Sequence, residues 1–399
     1  MDRTAAIGRR SFGLRRIAPR VIIVDRKPYV RTFLAETFEE LGFIAGCCSE
    51  ARELFPALNA VEPDLVLIVV SDDEEAAQDV LKVLAAALFH GRIMLMGSRR
   101  APAITDAQDR GEQLGLAMLP LLPTPFRTAE LRQRVGPLLP TKPPPPLPVD
   151  FVQALSNNWL ELWYQPKIDP RALRPLAVEA LIRLRHPSWG VVPPAHFLPQ
   201  QGDPHFRALS DFVVMKAMAD WRYFVNYGGP VELAINLPAA VLSDPDFVER
   251  MRWQLPSDPA FNRLIVEIDS SELSDDLTPI QEIVRALAGH GIGISVDNLG
   301  AECSSLLGLD NCPIAELKVA RGVVQGCAEN RLKRALCATI LDTARRLGAR
   351  TVAEGVETRA DLAAVRDLGF DLVQGFLFGK PMMARKFARM LRPPLSVPV

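Results

Sequence analysis

Short apolar runs alternate with amphipathic stretches in the first third of the chain. Apolar runs that predict buried strands lie at residues 21–24, 65–70, 93–96 and 118–122, the last weakened by Pro120. Residues 30–41 repeat apolar side chains at helical spacing and end at Gly42. Strands that alternate with helices predict an α/β domain in which a doubly wound parallel sheet is covered on both faces.

The same alternation resumes after residue 150. Predicted strands lie at residues 161–168, 177–184, 232–236, 264–268, 293–297, 316–319, 351–354 and 372–374. Helical stretches between them include residues 206–225, 279–288, 332–347 and 359–368. Eight strands with intervening helices predict a TIM-type (β/α)8 barrel. Residues 168–176 are too few for a helical crossover, so the first barrel strand is a candidate for an antiparallel one.

A proline-rich segment separates the two halves. Residues 136–150 read GPLLPTKPPPPLPVD, and four consecutive prolines favour extended polyproline II over helix or central strand. The predicted organisation is a disordered basic tail at 1–19, a domain at 20–135, a linker at 136–150 and a barrel domain at 151–399.

Composition narrows the class of protein. The chain has 399 residues, 48% of them hydrophobic and 23% charged, with a net charge of −1, as in ordinary globular proteins. Near-neutral charge does not by itself decide about polyanionic partners, but with only the tail strongly basic we expect no nucleic-acid partner. Six cysteines without CxxC spacing, and no apolar run of about 18 residues, predict a reduced cytoplasmic protein without a membrane span.

Polar residues recur where the predicted barrel strands end. They are Asn236, Glu267, Asp297, Lys318, Glu354 and Gln374. Because these ends meet on one face of a TIM barrel, the pattern predicts a functional site there. In the second barrel strand, alternation places Glu179, Leu181 and Arg183 on one face. An inward carboxylate and guanidinium predict either a metal and phosphate site or a simple cross-strand ion pair.

Ordered motifs from about residue 160 to residue 390 resemble the EAL family of cyclic di-GMP phosphodiesterases. They are YQP at 164–166, EAL with a downstream arginine at 179–183, RHP at 185–187, two prolines with a phenylalanine at 193–197, AEGVET at 353–358 and VQGF at 373–376. The resemblance implies hydrolysis of cyclic di-GMP to linear pGpG at two divalent cations, Mg²⁺ or Mn²⁺. Such hard cations prefer oxygen ligands.

The resemblance also implies residue roles. Glu179, Asn236, Glu267 and Asp297 would hold the first cation. Lys318 would orient or help activate the attacking water, and Glu354 would serve the second cation. The ligand-binding residues that it implies are Gln165, Leu181, Arg183, Pro194, Gln374 and Phe376.

Three positions depart from the family pattern. Asn298 stands where the family has the second aspartate of DDFGTG, which should weaken the second cation site but not the first. Ala320 replaces the aspartate of KxD. Ser270 replaces the second glutamate of ExTE, and Glu272 lies out of register with it. These losses predict that hydrolysis is impaired more than binding.

Three functions follow, in order of preference. The first is a cyclic di-GMP receptor or scaffold, in a bacterial-type signalling protein, with little or no hydrolysis. The second is a weakly active cyclic di-GMP-specific phosphodiesterase that gives pGpG. The third is a protein-interaction adaptor that binds no nucleotide. Family habit suggests a homodimer, although no residue pattern demonstrates one.

The first domain resembles a response-regulator receiver domain, which has a flavodoxin-like fold. Residues 21–25 read VIIVD and residues 63–67 read PDLVL, but Asp25 is followed by Arg26 instead of a second acidic residue. Val69 occupies the phosphoacceptor position, so no phosphoacceptor is expected. The hydroxyl position holds Gly97 or Ser98, and the lysine position holds Thr124. Asp72 and Asp73 lie just beyond the strand and could act as a slipped acceptor, but strand alternation places Asp72 out of phase with the site. We therefore expect a dimerisation module or a docking module for a signalling partner.

Overall fold

A computed structural model describes residues 18–392, apart from several short gaps. The gaps are residues 71–73, 99–100, 141–150, 188, 193, 195–196, 200–202, 274–276, 301–305, 307 and 310–311. The predicted tail up to residue 17, residues 141–150 of the predicted linker, and Asp72 and Asp73 lie outside the described residues. The chain divides into two compact units, residues 1–150 with 184–197 and residues 151–183 with 198–399. The domain boundaries given above stay predictions.

The N-terminal unit alternates strands and helices. Its elements are β1 (Arg20–Val24), α1 (Pro28–Glu40), β2 (Ile44–Cys48), α2 (Ala51–Val61), β3 (Leu65–Val69), α3 (Glu74–Ala86), β4 (Arg92–Gly97), α4 (Pro102–Gln113), β5 (Ala117–Met118), β6 (Leu122–Pro123) and α5 (Thr128–Val135). The strands are parallel in the order β2-β1-β3-β4-β5, and β6 also pairs with β4. This is the flavodoxin-like order, which confirms the predicted receiver-like fold.

Alternate residues of the central strands build two separate cores. Ile22 and Val66 belong to one apolar cluster, while Val21 and Leu65 belong to the other. Because successive strand residues point to opposite faces, the continuous apolar runs of β1 and β3 bury both faces of the sheet. Strand β2 is missing from the sequence prediction, since Ile44–Cys48 contains a glycine and two cysteines in place of a β-branched run.

The remaining elements lie after residue 150, and those within residues 184–197 are grouped with the N-terminal unit. They are α6 (Phe151–Ser156), β7 (Leu160–Ile168), β8 (Pro175–His186), β9 (Gly190–Val192), α7 (His205–Tyr227), β10 (Glu232–Asn236), α8 (Ala239–Leu242), α9 (Pro245–Gln254), β11 (Leu264–Asp269), α10 (Thr278–Ala288), β12 (Gly293–Leu299), β13 (Ile314–Val319), α11 (Arg321–Val324), α12 (Arg331–Leu347), β14 (Arg350–Ala353), α13 (Arg359–Leu368), β15 (Leu372–Val373), β16 (Met382–Met383) and α14 (Ala384–Leu391). None of the described helices is both long and apolar enough to span a membrane.

Eight of these strands form a closed barrel. The pairing runs β7-β15-β14-β13-β12-β11-β10-β8, and a β7–β8 pairing closes the ring. Strand β7 is antiparallel to β15, which confirms the expectation drawn from the short connection after residue 168. Strands β9 and β16 extend the sheet beyond the ring.

Local sequence signals determine where the helices between the strands begin and end. The Asn330 side chain accepts hydrogen bonds from the first-turn amides of α12, and α12 ends at Gly348 with a φ of 66°. Thr358 caps α13 in the same way, and α13 ends at Gly369 with a φ of 91°. Polar N-caps and left-handed glycines stop helices at defined residues, so each following strand starts at a fixed place.

Candidate functional site

The polar residues at the strand ends meet at one mouth of the barrel. Asn236 is the last residue of β10 and lies in register with Glu267 of β11. Asp297 of β12 is in register with the last residue of β11. Glu354 follows β14 directly, and Gln374 follows β15. Parallel strands that end together therefore bring these side chains into one cluster.

Lys318 lies at the centre of this cluster. Its side chain is completely buried, and its Nζ lies 3.3 Å from Glu179 Oε2, 2.8 Å from Glu267 Oε2, 3.1 Å from Asp297 Oδ2 and 2.9 Å from Glu354 Oε1. One ammonium group thus faces four carboxylates. Since a buried charge is tolerated only when it is paired, the lysine supplies part of the positive charge that the carboxylates require.

The protonation of the carboxylates differs sharply. Burial and the neighbouring Glu179 raise the pKa of Glu267 to about 7. Burial raises the pKa of Asp297 to about 6 and also raises that of Glu354. Burial works in the same direction at Glu179, but Lys318 and Lys167 outweigh it and hold that pKa at about 2. Near neutral pH the cluster therefore still shares protons.

These pKa values predict that divalent-cation binding depends on pH. Below about pH 6, Glu267 and Asp297 carry protons that a cation must displace. Glu179 stays ionised in this range, so it does not make cation affinity depend on pH. Affinity for Mn²⁺ should rise between about pH 5.5 and pH 7.5, by up to about tenfold per pH unit for each proton released. Calorimetric titration in two buffers of different ionisation enthalpy counts the released protons. A flat affinity without proton release would contradict the assignment of these pKa values.

The donor set at the mouth suits a hard divalent cation. Glu179, Glu267 and Asp297 each offer one oxygen, and these atoms lie within 4.8 Å of one another. Carboxylate oxygens are the ligands that Mg²⁺ and Mn²⁺ prefer. The ammonium of Lys318 lies among the same oxygens, which shows that the cluster accommodates positive charge. The Asn236 amide donates a hydrogen bond to Glu179 Oε1 at 2.8 Å, so it lies next to the same donor set.

A pair of glutamines covers one side of the cluster. Gln374 Nε2 donates to Glu179 Oε2 at 2.7 Å and lies 3.0 Å from Gln165 Oε1. Gln165 Nε2 donates in turn to the carbonyl oxygen of Gly379 at 3.2 Å. Gln374 Oε1 is buried and has no hydrogen-bond partner among the described residues. An unpaired buried oxygen is costly, so the hydrogen-bonding capacity of this glutamine is only partly met by the described residues.

Other residues predicted to bind the ligand lie farther out. Leu181 and Arg183 are half-buried; Arg183 lies over the Trp163 ring at 5.9 Å and donates to the carbonyl oxygen of Ile182 at 2.8 Å. Phe376 is 47% exposed, and Arg321 and Lys380 lie 5.9 Å and 5.2 Å from the centre of its ring. The half-buried Pro194 belongs to the segment 184–197, which is grouped with the other compact unit.

Asn298 lies at an irregularity of the barrel wall. The pairing of β12 with β13 shifts between Val296 and Leu299, and Asn298 has a φ of 60°. Asparagine and aspartate adopt this left-handed conformation more readily than other residues with side chains. The backbone nitrogen of Asn298 donates a hydrogen bond to Asp297 Oδ1 at 2.6 Å. The bulge thus fixes Asp297 and leaves the Asn298 side chain exposed.

The two other departures from the family pattern lie near this bulge. The Ser270 hydroxyl donates to the carbonyl oxygen of Asn298 at 3.1 Å. Ala320 is the N-cap of α11, and its backbone nitrogen donates to the Leu299 carbonyl oxygen at 2.9 Å. Glu272 accepts a hydrogen bond from the Ala239 nitrogen at 2.8 Å. Serine therefore contacts the bulge directly, while alanine contributes no side-chain oxygen.

Two charged residues of the barrel interior were not predicted from the sequence. Lys167 of β7 and Glu316 of β13 are both fully buried, and the Lys167 Nζ lies 2.6 Å from Glu267 Oε1. Alternation in β7 and β13 gives a signal for both, since Lys167 shares a face with Gln165 and Glu316 shares one with Lys318. Lys167 is the next-to-last residue of β7, but β7 runs antiparallel to its neighbour β15, so its end lies away from the mouth. Glu316 lies in the first half of β13. A search of the strand ends that meet at the mouth therefore misses both residues.

The receiver-like unit has a cavity of about 390 Å³ at the ends of β1 and β3. Asp25, Arg26 and Val69 line it. Asp25 is buried, its Oδ1 accepts from the Lys27 nitrogen at 2.6 Å, and burial raises its pKa. Asp25 is the one acidic residue among these three, and Val69 ends β3 with an apolar side chain.

The C-terminal fold and site define a TIM-type barrel with a candidate cation site at its mouth. Residues 149–381 match the EAL domain family, and the chain therefore belongs to that family. It is 27% identical to the cyclic di-GMP phosphodiesterase RocR of Pseudomonas aeruginosa over 387 residues, which cover 92% of this chain and 97% of RocR.

Two further comparisons concern the barrel. The bifunctional diguanylate cyclase/cyclic di-GMP phosphodiesterase MucR of Pseudomonas aeruginosa is 34% identical over 243 residues, 59% of this chain and 35% of MucR. The structure of the PaMucR phosphodiesterase in complex with c-di-GMP superposes with a TM-score of 0.55 at 33% identity, covering 60% of this chain and 98% of that one. The chain spans between 30% and 51% of the length of the first three curated relatives that it matches.

Proposed function

We propose that this protein binds cyclic di-GMP at the barrel mouth as a receptor or scaffold and hydrolyses it slowly or not at all. The observation that carries the proposal is the neutral residue Asn298 next in sequence to Asp297, one of the four carboxylates that surround Lys318. Binding uses groups that are present, whereas hydrolysis also depends on the negative charge missing at residue 298.

Charge explains why one cation is favoured over two. Glu179, Glu267 and Asp297 supply three oxygens to one position, with Asn236 beside them. A second cation close by would rely on Asp297 and Glu354, because Asn298 and Ala320 carry no charge. Two dications close together repel each other unless carboxylates neutralise them. We therefore expect the protein to bind one Mg²⁺ or Mn²⁺ ion firmly and a second one only weakly.

The ligand contacts proposed at the mouth are of three kinds. A bound cation would neutralise phosphate charge and polarise the attacked phosphodiester. Arg183 offers guanidinium donors to a phosphate, and Gln374 offers its unpaired oxygen to a donor group. Phe376 presents an exposed aromatic face at the rim for a guanine base.

Calorimetric titration with cyclic di-GMP tests this function. With Ca²⁺ present to suppress cleavage, the protein should bind with micromolar or tighter affinity, and Arg183→Met should weaken binding by about tenfold through loss of charged hydrogen bonds. Arg171→Met, an exposed change in the turn between β7 and β8, is the matched control. Absence of heat with wild-type protein at high micromolar ligand would instead favour the adaptor that binds no nucleotide.

A weak phosphodiesterase is the second candidate. The Ser270 hydroxyl contacts the carbonyl of Asn298 at 3.1 Å, so the bulge that carries Asp297 is braced although the family glutamate is missing. Chromatography of cyclic di-GMP after overnight incubation with Mn²⁺ distinguishes the two functions. Prompt pGpG formation, absent in Glu179→Gln, would establish the enzyme and overturn the receptor.

The N-terminal unit is proposed to act without phosphorylation. Val69 ends β3 where an acceptor would stand, and Arg26 follows Asp25. In this proposal the unit provides a docking or dimerisation surface for a signalling partner, and the barrel supplies the nucleotide-dependent part of the response.

A further inference from the structure

Lys167 is a fully buried lysine with no place in the function proposed above. It lies near the end of β7, where alternation gives it the same side of the strand as Gln165. Tyr164 points the other way and donates to Asp220 Oδ2 of α7 at 2.6 Å. Lys167 therefore projects into the barrel, below the cluster around Lys318.

Two carboxylates hold the Lys167 ammonium. Its Nζ lies 2.6 Å from Glu267 Oε1 and 2.5 Å from Glu316 Oε1. The second oxygen of Glu267, Oε2, lies 2.8 Å from Lys318 Nζ. Each oxygen of this one carboxylate thus has its own ammonium group, and only Oε2 contacts the lysine that the other three site carboxylates share.

Glu316, the second carboxylate that contacts Lys167, is itself held in place by its neighbours. Strand register places Glu267, Ser295, Glu316 and Arg350 side by side on four neighbouring strands. The Ser295 hydroxyl donates to Glu316 Oε1 at 3.1 Å, and Arg350 Nε donates to Glu316 Oε2 at 2.8 Å. With both oxygens engaged by rigid strands, Glu316 holds the Lys167 ammonium in one position.

We propose that Lys167 is a positioning residue of the cation site, which holds Glu267 Oε1 so that Oε2 faces the mouth. The inference rests on the proposed function only in that a divalent cation binds at this mouth. A carboxylate held by one oxygen offers the other in a fixed direction, and residues that orient metal ligands commonly change metal affinity by about 10- to 100-fold when they are lost. Lys167 would act in this way through Glu267 without touching the cation or the nucleotide.

Two single variants, Lys167→Met and Arg350→Met, distinguish a positioning role of Lys167 from a purely structural one. Each variant removes a positively charged side chain that contacts Glu316. Arg350 otherwise contacts Glu232, and no contact joins it to the four described site carboxylates. Titration with Mn²⁺ should show an affinity about 10- to 100-fold lower in Lys167→Met and a smaller loss in Arg350→Met, in which Lys167 still contacts Glu267 Oε1. Urea unfolding of both variants gives the accompanying loss of stability. Equal losses of Mn²⁺ affinity in the two variants would reduce Lys167 to a structural residue.

A charge-balanced variant covers the case in which Lys167→Met does not fold. The double variant Lys167→Met/Glu316→Gln removes both the ammonium group and the charge of Glu316. Its Mn²⁺ affinity should fall as far as in Lys167→Met, because Glu267 Oε1 again has no lysine to hold it. Wild-type affinity in this double variant would overturn the proposal.

Crystal structures of the variants decide the inference independently of cation binding. The Glu267 carboxylate should leave its wild-type orientation when Lys167 is replaced and keep it in Arg350→Met. If wild-type protein binds no Mn²⁺, the proposed cation site fails, while the orientation of Glu267 still judges Lys167. A Glu267 side chain that stays in place without Lys167 would refute the positioning role.

Discussion

Asn298→Asp combined with Ala320→Asp is expected to increase pGpG formation from cyclic di-GMP by about 10- to 100-fold. The two aspartates add negative charge where the second cation would lie, and so offset the repulsion between two dications. Both changes suit the local backbone. Aspartate tolerates the φ of 60° at residue 298, and residue 320 is an N-cap, where aspartate is favoured.

Initial rates with Mn²⁺, measured by chromatography, check this expectation. Asn298→Asp alone should recover part of the increase, and adding Glu179→Gln to the double variant should abolish turnover because the first cation loses a ligand. An unchanged rate in the double variant would shift the cause of low activity to Ser270. The triple variant with Ser270→Glu would then be the one that gains activity.

Lys318→Met is expected to reduce the free energy of unfolding by about 3–5 kcal/mol when no divalent cation is present. The ammonium is completely buried and lies within 3.3 Å of four carboxylates. Its removal leaves carboxylates that must take up protons or repel one another. Added Mn²⁺ should restore stability by mass action, and more strongly than in wild type, since no lysine has to be displaced.

Chemical denaturation in EDTA and in Mn²⁺, followed by circular dichroism, measures both effects. Arg345→Met is the control, because Arg345 pairs with Asp342 at 2.5 Å through side chains that are 64% and 71% exposed and should cost less than about 1 kcal/mol. If Lys318→Met loses no more stability than Arg345→Met, the ammonium does not neutralise the cluster. If Mn²⁺ fails to stabilise the variant, the carboxylates are not a cation site.

Much of the barrel is predictable from local patterns. The predicted strand at residues 232–236 and the predicted helix at 359–368 coincide with β10 and α13. Apolar runs, N-caps and helix-ending glycines act over a few residues, so they can be recognised without knowing the fold. The antiparallel β7 also follows from chain length alone, since a parallel crossover needs more residues than 168–176 provide.

Edge elements and short strands are harder to predict. Among the described strands, β2 pairs with β1 alone, and its small residues are held by pairing rather than by their own preference for strands. The fifth strand of the N-terminal sheet divides into β5 and β6 around Pro120. In both cases contacts with β1 or β4 outweigh a weak local signal.

Alternation and strand length are properties of the chain, so local sequence is enough to predict that Asn236, Glu267, Asp297 and Lys318 lie at or next to strand ends. The place of Lys318 between the carboxylates and the contact of Lys167 with Glu267 follow instead from the tertiary structure. Those contacts join strands up to 139 residues apart and depend on barrel closure and register. Charges in a buried interior are paired through such long-range geometry, which no local pattern encodes.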